Sequence, residues 1–167
     1  MSEIMLELGA EQRLVGVLDG GERPAALAGV PSVGRFGTLE LETLLSLKPD
    51  LLLLSPGSLP EAQRRQLDDI GIPLYLGEPH DLQQLADQFA EIGARVGHAE
   101  RGRQLREQFR DGMAALRARY RRERPLTVFY QVWHQPVYTI GAQQIIGDAL
   151  SVCGARNVFE DIRLPAP

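Results

Sequence analysis

Apolar residues near the start of the chain follow two different spacings. Ile4, Met5 and Leu8 share one helical face, and Gly9 follows as a stop. Leu14-Val15-Gly16-Val17-Leu18 and Leu51-Leu52-Leu53-Leu54 are instead short unbroken runs, the pattern of strands buried in a parallel sheet. Each run opens onto a polar turn, Asp19-Gly20-Gly21 after the first and Ser55-Pro56-Gly57-Ser58 after the second. Helices are predicted over Thr38–Leu47, with Thr38 as N-cap and Leu41, Leu44 and Leu45 inward, and over Pro60–Ile70, with Gly71 just past its end. Pro73–Leu76 is a further strand. Strand, helix, strand, helix, strand predicts a parallel α/β sheet with right-handed crossovers. Ligands of such sheets bind at the carboxyl ends of the strands, which marks Asp19, Ser55–Ser58 and Gly77–Pro79 as the functional rim.

From His80 to Arg122 the pattern is helical throughout. Leu82, Leu85, Ala86, Phe89, Ile92, Gly93 and Val96 form one stripe, and after Gly97 a second places Leu105, Phe109, Met113, Leu116 and Tyr120 together. A helix over Ala99–Arg122 would be about 36 Å long at 1.5 Å per residue, more than one crossover needs. Pro125 ends it, Leu126–Val132 reads as a strand, and Gly141–Val152 returns to helix with Ile145, Ile146 and Leu150 inward and Gly154 closing it. The expected organisation is an α/β lobe over residues 1–79, a helical linker with a long helix over 80–124, and the start of a second α/β lobe over 125–167.

Composition narrows the function classes. The chain has 167 residues, of which 44% are hydrophobic and 24% charged, as in an ordinary globular protein. Its formal charge of -4 argues against a general electrostatic hold on nucleic acid. No apolar run approaches the roughly 20 residues of a membrane-spanning helix. One cysteine, Cys153, leaves no intramolecular disulfide and no zinc site built from several thiolates. No basic segment followed by an apolar stretch opens the chain, so no secretory leader is visible. A start inside a helix and a stop in Leu164-Pro165-Ala166-Pro167 read as the ends of a trimmed chain.

Catalytic equipment is not visible. Phosphate-cradling, dinucleotide and nucleophile-elbow motifs are all absent, and His80, His98 and His134 share no metal-ligand spacing. Cys153, at a helix end, reads as packed and not nucleophilic. Nine arginines between Arg101 and Arg124 read as a solvated helix face, because Glu100, Glu107, Asp111 and Glu123 interleave with them. Two segments argue for binding. Phe36 sits in a loop between Gly34 and Gly37, where its ring can project, and Trp133-His134-Gln135-Pro136-Val137-Tyr138 puts an indole, an imidazole and a phenol after a strand. Such a group suits a flat amphipathic ligand, or alternatively plugs the core beneath the loop.

These residues carry a family resemblance. Leu44–Leu53, with its Lys48-Pro49-Asp50 turn, and Leu67–Pro73 resemble periplasmic binding proteins of the helical-backbone type, which serve cobalamin, haem and siderophore ABC importers. The helix from Ala99 is similar to that family's interlobe helix, and Val128–Gly141 and Val152–Phe159 resemble its cobalamin-binding members. The resemblance implies an α/β fold with an incomplete second lobe, a periplasmic location and no enzymatic activity or cofactor. It implies cobalamin or another corrinoid held between lobes, with Phe36, Ser55, Pro56, Gly57, Ser58, Trp133 and His134 lining the site and no metal ligand from the protein. Glu61 matches an acidic residue that docks on arginines of the membrane permease, in complex with its ATPase; it also suits a helix N-terminus. Membrane contact would be through the permease alone, and no nucleic acid would bind. The alternatives are an iron-siderophore or haem carrier of the same family, or a small cytosolic α/β enzyme or regulatory domain.

Overall fold

The computed structural model describes residues 1–142 and 144–162, so Gln143 and the predicted extended segment Leu164–Pro167 lie outside the described residues. The chain forms two compact units, one of Met1–Glu78 with Arg95–His98, the other of Pro79–Ala94 with Ala99–Pro167. Both are α/β with parallel strand pairs.

The first unit opens with helix α1 (Ser2–Glu7), which buries Ile4 and Met5 and ends where Gly9 takes φ +65°. Strands β1 (Val17–Asp19) and β2 (Ser32–Arg35) pair in parallel, and β3 (Thr38–Leu39) folds back antiparallel on β2. Helix α2 (Leu41–Ser46) leads to β4 (Leu52–Leu54), helix α3 (Glu61–Ile70) and β5 (Leu74–Leu76), and β4 pairs with β5 in parallel. Gly71 closes α3 in the left-handed conformation at φ +78°. The expected single parallel sheet is therefore two, ordered β1-β2-β3 and β4-β5. Val33, Leu39, Leu44, Leu52, Leu59 and Leu67 form a core cluster from both sheets and from helices α2 and α3.

Thr38 is not the helix cap its position suggested. Gly37 at φ +84° reverses the chain after Phe36, so Arg35 lies opposite Thr38 and Gly34 opposite Leu39. A Cβ on Gly34 would stand 2.3 Å from the Thr38 carbonyl oxygen, so the hairpin closes only on a residue without a side chain. The helix starts three residues later than expected and is under two turns long. It can bury one narrow face: Leu44 is 4% exposed, whereas Leu45, expected inward, is 40% exposed.

In the second unit, α4 (Leu82–Arg95) and α5 (Ala99–Arg119) pack closely. A Cβ on Gly102 of α5 would meet the Phe89 carbonyl oxygen at 2.5 Å, and the Phe89 and Phe109 rings lie 5.7 Å apart. Helix α5 is shorter than the predicted span and leaves Tyr120 exposed beyond its end. The run Leu126–Val132 is not one strand. It splits into β6 (Leu126–Val128) and β7 (Gln131–His134), and β7 pairs antiparallel with β8 (Val137–Thr139). Helix α6 (Ile145–Val152) and Gly154 lead to β9 (Ala155–Asn157), which pairs with β6 in parallel. Asp148 of α6 accepts the Leu82 amide at the start of α4 at 2.9 Å and takes Arg117 of α5 at 3.1 Å. One carboxylate thus ties three helices.

The reversal of burial within α2 has a measurable consequence. Leu44→Ala is expected to lower unfolding free energy by about 2–5 kcal/mol, as for other buried leucines. Leu45→Ala should change it by no more than about 0.5 kcal/mol, as at an exposed site. Urea denaturation of the two variants checks both values.

Candidate functional site

In the first unit the carboxyl ends of the strands converge. Phe36 follows β2, and its amide donates to the Asp19 carbonyl at the end of β1 at 2.8 Å. The Gly37 amide donates to the Ser58 carbonyl at 2.9 Å, joining the hairpin tip to the turn after β4. The Gly77 amide after β5 donates to the Leu54 carbonyl at 2.9 Å. The expected rim residues Asp19, Ser55–Ser58 and Gly77 are thus brought together with Phe36. The Phe36 ring projects, 66% exposed.

Within the turn the four candidates divide by role. Ser55 and Gly57 are exposed and Pro56 is half-buried. Ser58 is buried, and its hydroxyl donates to the Ser55 carbonyl at 2.6 Å, so its side chain shapes the turn instead of facing outward. Gly57, at φ +78°, supplies the left-handed residue that the turn needs.

The chain between β1 and β2 is held by one carboxylate. Asp19 accepts from the Ser32 hydroxyl at 2.6 Å and pairs with Arg23, whose guanidinium also donates to the Val30 carbonyl at 2.6 Å. The Ser32 hydrogen bond, then the Arg23 hydrogen bond, holds the Asp19 carboxyl below its ordinary value of 3.8. Arg23 and Ser32 were not predicted as site residues; Arg23 stands four positions from Asp19 in the loop after β1, whereas Ser32 is thirteen positions away and is brought there by the parallel pairing of β1 with β2.

The second unit carries Trp133 and His134. Both lie in strand β7, not in the loop the sequence suggested, and the hairpin turn is Gln135-Pro136, with a cis peptide bond. Trp133 is 56% exposed, which rules out a core plug, and Tyr138 lies opposite it across the hairpin. The indole N–H donates to the Gln135 carbonyl at 3.1 Å, and the His134 ring centre is 5.6 Å from the indole. With its polar edge satisfied, the indole presents its faces. Asn157, buried on β9, anchors the hairpin base: its Oδ1 accepts from the Tyr130 amide at 3.2 Å and its Nδ2 donates to the Ile140 carbonyl at 2.7 Å. The Thr139 hydroxyl completes the base by donating to the Tyr130 carbonyl at 2.7 Å.

Glu61 is the first residue of α3 and is exposed, with its carboxylate paired to Arg65 one turn on. Cys153, expected to be packed, is exposed at the end of α6. Among the described residues no group of three His, Cys, Asp or Glu side chains is placed to hold a metal ion, and no helix is long and apolar enough to cross a membrane.

The sequence profile of periplasmic binding proteins matches residues 1–163. This chain belongs to the periplasmic binding protein family. Within the family it is 31% identical over 166 residues to the vitamin B12-binding protein of Yersinia pestis (strain Pestoides F), covering 99% of this chain and 59% of that one. The periplasmic vitamin B12-binding protein BtuF of Vibrio cholerae superposes with a TM-score of 0.86 at 27% identity, over 99% of this chain and 65% of that chain. The periplasmic heme-binding protein HutB of Vibrio cholerae superposes with a TM-score of 0.80 at 28% identity, over 93% and 61%. The chain thus spans 59% of the length of the curated relative, so these matches concern a part of each relative.

The Asp19 network makes stability depend on acid pH with a fixed sign. A carboxyl whose folded value lies below its unfolded value stabilises the fold above 3.8, and that contribution is lost as pH falls below 3.8 through the folded value. Asp19→Asn should therefore be less stable than the native chain at neutral pH, with the difference shrinking below pH 3.8. Thermal melts of both proteins across that range measure it.

Proposed function

We propose that this protein is the substrate-binding component of an ABC importer, taking up cobalamin or a related corrinoid in the periplasm and delivering it to a membrane permease. Capture and release are its whole task, and no bond is made or broken. The observation that carries this reading is the Trp133 indole, 56% exposed beside His134 and Tyr138 on a braced hairpin, with its N–H already satisfied. A flat ring of mixed polarity is bound best by rigid aromatic faces with a few fixed hydrogen-bonding groups. The Phe36 ring, and the exposed Ser55 and Gly57 beside it, offer a second such surface on the first unit. The vitamin B12-binding relatives support the choice of ligand.

A haem carrier is the second reading, favoured by the exposed His134 imidazole beside an aromatic face, since haem iron takes an axial histidine. The two ligands separate on the chain's single tryptophan. Cyanocobalamin is expected to quench Trp133 fluorescence saturably, and His134→Ala should keep that response. Quenching by haem or a ferric siderophore alone, with haem quenching lost in His134→Ala, would overturn the corrinoid assignment.

Glu61 is proposed as a permease contact. Its position on the first turn of α3 leaves it reachable, and an incoming arginine would exchange with Arg65 across an exposed ion pair of little intrinsic strength. Glu61→Ala should leave corrinoid affinity unchanged and reduce uptake several-fold in a transport assay with the permease, through docking register and encounter rate. Weakened ligand binding in that variant would instead place Glu61 at the ligand site.

A further inference from the structure

The end of α5 and the segment after it form the most basic stretch of the chain. Residues 117–124 hold five arginines against one glutamate, in a chain whose formal charge is -4. All eight residues are exposed. The acids that interleave with the earlier arginines of α5 stand apart from this stretch. Asp111, the last of them, lies about 9 Å before Arg117 along the helix axis and farther from the rest. That exceeds the roughly 8 Å over which charges act at physiological salt.

Part of the cluster serves α5 itself. Arg117 and Arg119 lie in its last turn, where cations offset the helix dipole, and Arg117 also pairs with Asp148 at 3.1 Å. Arg121, Arg122 and Arg124 lie beyond the helix and have no ion-pair partner among the described residues. The backbone that carries them is held at both ends by Gly154. The Leu126 amide donates to the Gly154 carbonyl at 3.0 Å. At the other end, a Cβ on Gly154 would clash with the Tyr120 carbonyl oxygen and stand 3.2 Å from Cγ and Cδ of Arg122. Arg122 thus lays its apolar stem on backbone and keeps its charged head in solvent. The Arg119 guanidinium lies 5.4 Å from the centre of the Tyr120 ring, which is itself 38% exposed.

We propose that residues 117–124 dock the protein on anionic phospholipid headgroups at a bilayer surface, with Arg121, Arg122 and Arg124 on the phosphates and Tyr120 at headgroup level. Guanidinium groups bind phosphate oxygens in pairs, and tyrosine favours the boundary between apolar and aqueous layers. Charge complementarity selects a flat partner. A bilayer meets one end of α5, whereas a nucleic acid following the helix would meet Glu100, Glu107 and Asp111 as well. An acidic protein would call for an apolar centre within the patch, and Tyr120 is the one large ring or apolar side chain among the eight residues. This docking adds a membrane contact to the one a permease would make, and it does not depend on which ligand the protein carries.

The test is co-sedimentation of the chain with vesicles of phosphatidylcholine containing one third phosphatidylglycerol, against vesicles of phosphatidylcholine alone. The chain is expected to bind the anionic vesicles at about 0.1 M salt, to be released at about 1 M, and not to bind the neutral ones. Each arginine near an anionic surface is worth roughly fivefold in partition. The triple variant Arg121→Gln, Arg122→Gln, Arg124→Gln should therefore bind about a hundredfold more weakly. A control triple, Arg65→Gln, Arg103→Gln, Arg110→Gln, removes the same charge at other exposed positions and should bind nearly as the native chain does. A polarity-sensitive dye on Cys153, exposed and next to Gly154, should shift to the blue on the anionic vesicles. Equal binding to neutral vesicles, no binding to anionic ones, or equal losses in the two triple variants would overturn the proposal. So would a dye that does not respond, because another face would then be bound. Tighter binding of single-stranded DNA than of vesicles, through the same three arginines, would reassign the surface to nucleic acid.

Discussion

The closing of the β2–β3 hairpin at Gly34 is the constraint on which the first unit's rim depends. The Thr38 carbonyl approaches residue 34 so closely that a Cβ would stand 2.3 Å from its oxygen. With the hairpin closed, Phe36 is carried to its tip, and the Phe36 and Gly37 amides reach Asp19 and Ser58, ends of two different sheets. The exposed ring is therefore attached to rigid backbone on both sides. Asp19 adds a further brace by holding Ser32 and Arg23, so the ends of β1 and β2 cannot drift apart without breaking charge-assisted hydrogen bonds.

The second unit solves a similar problem with a side chain instead of a missing one. Its aromatic hairpin β7–β8 projects from the β6–β9 pair and is exposed on nearly every residue. Two strands alone are marginal in water. Asn157 compensates, because a buried amide can accept from Tyr130 and donate to Ile140 at once, fastening both legs of the hairpin to β9. Removing such a group would leave buried backbone polar atoms without partners, which costs more than the bonds' net gain. Asp148 plays the comparable part for the helices, joining α6 to the start of α4 and to α5.

Both devices place an aromatic face on solvent and hold it there. Were such a ring to meet the ligand proposed above, it would gain from this order, since less side-chain freedom would remain to be lost on binding. Ser58 and the Trp133 indole share the same economy of polar groups: each satisfies its donor locally, on Ser55 and Gln135 respectively.

Much of this was legible in the residues. The apolar runs located β1, β4 and β5, the Gly71 and Gly154 stops were read correctly, and Phe36 between two glycines was expected to project. Apolar periodicity and turn chemistry are local, and local rules suffice where an element buries one continuous face. They failed at Thr38, where an antiparallel partner outweighed a good N-cap residue, and at Trp133, where a strand was taken for a loop because its partner lay beyond the turn. They also could not find Ser32 or Asn157, whose partners stand thirteen and 27 positions away in the chain, and they missed Arg23 although its partner Asp19 is only four positions away. By itself, then, the sequence determined the α/β class, the main helices and a projecting Phe36, and it left open whether Trp133 and Tyr138 were exposed or packed. The division into two sheets, the rim that gathers Phe36 with Ser55–Ser58, and the bracing of Trp133 were decided by tertiary structure, because each depends on hydrogen bonds between backbone segments distant in the chain.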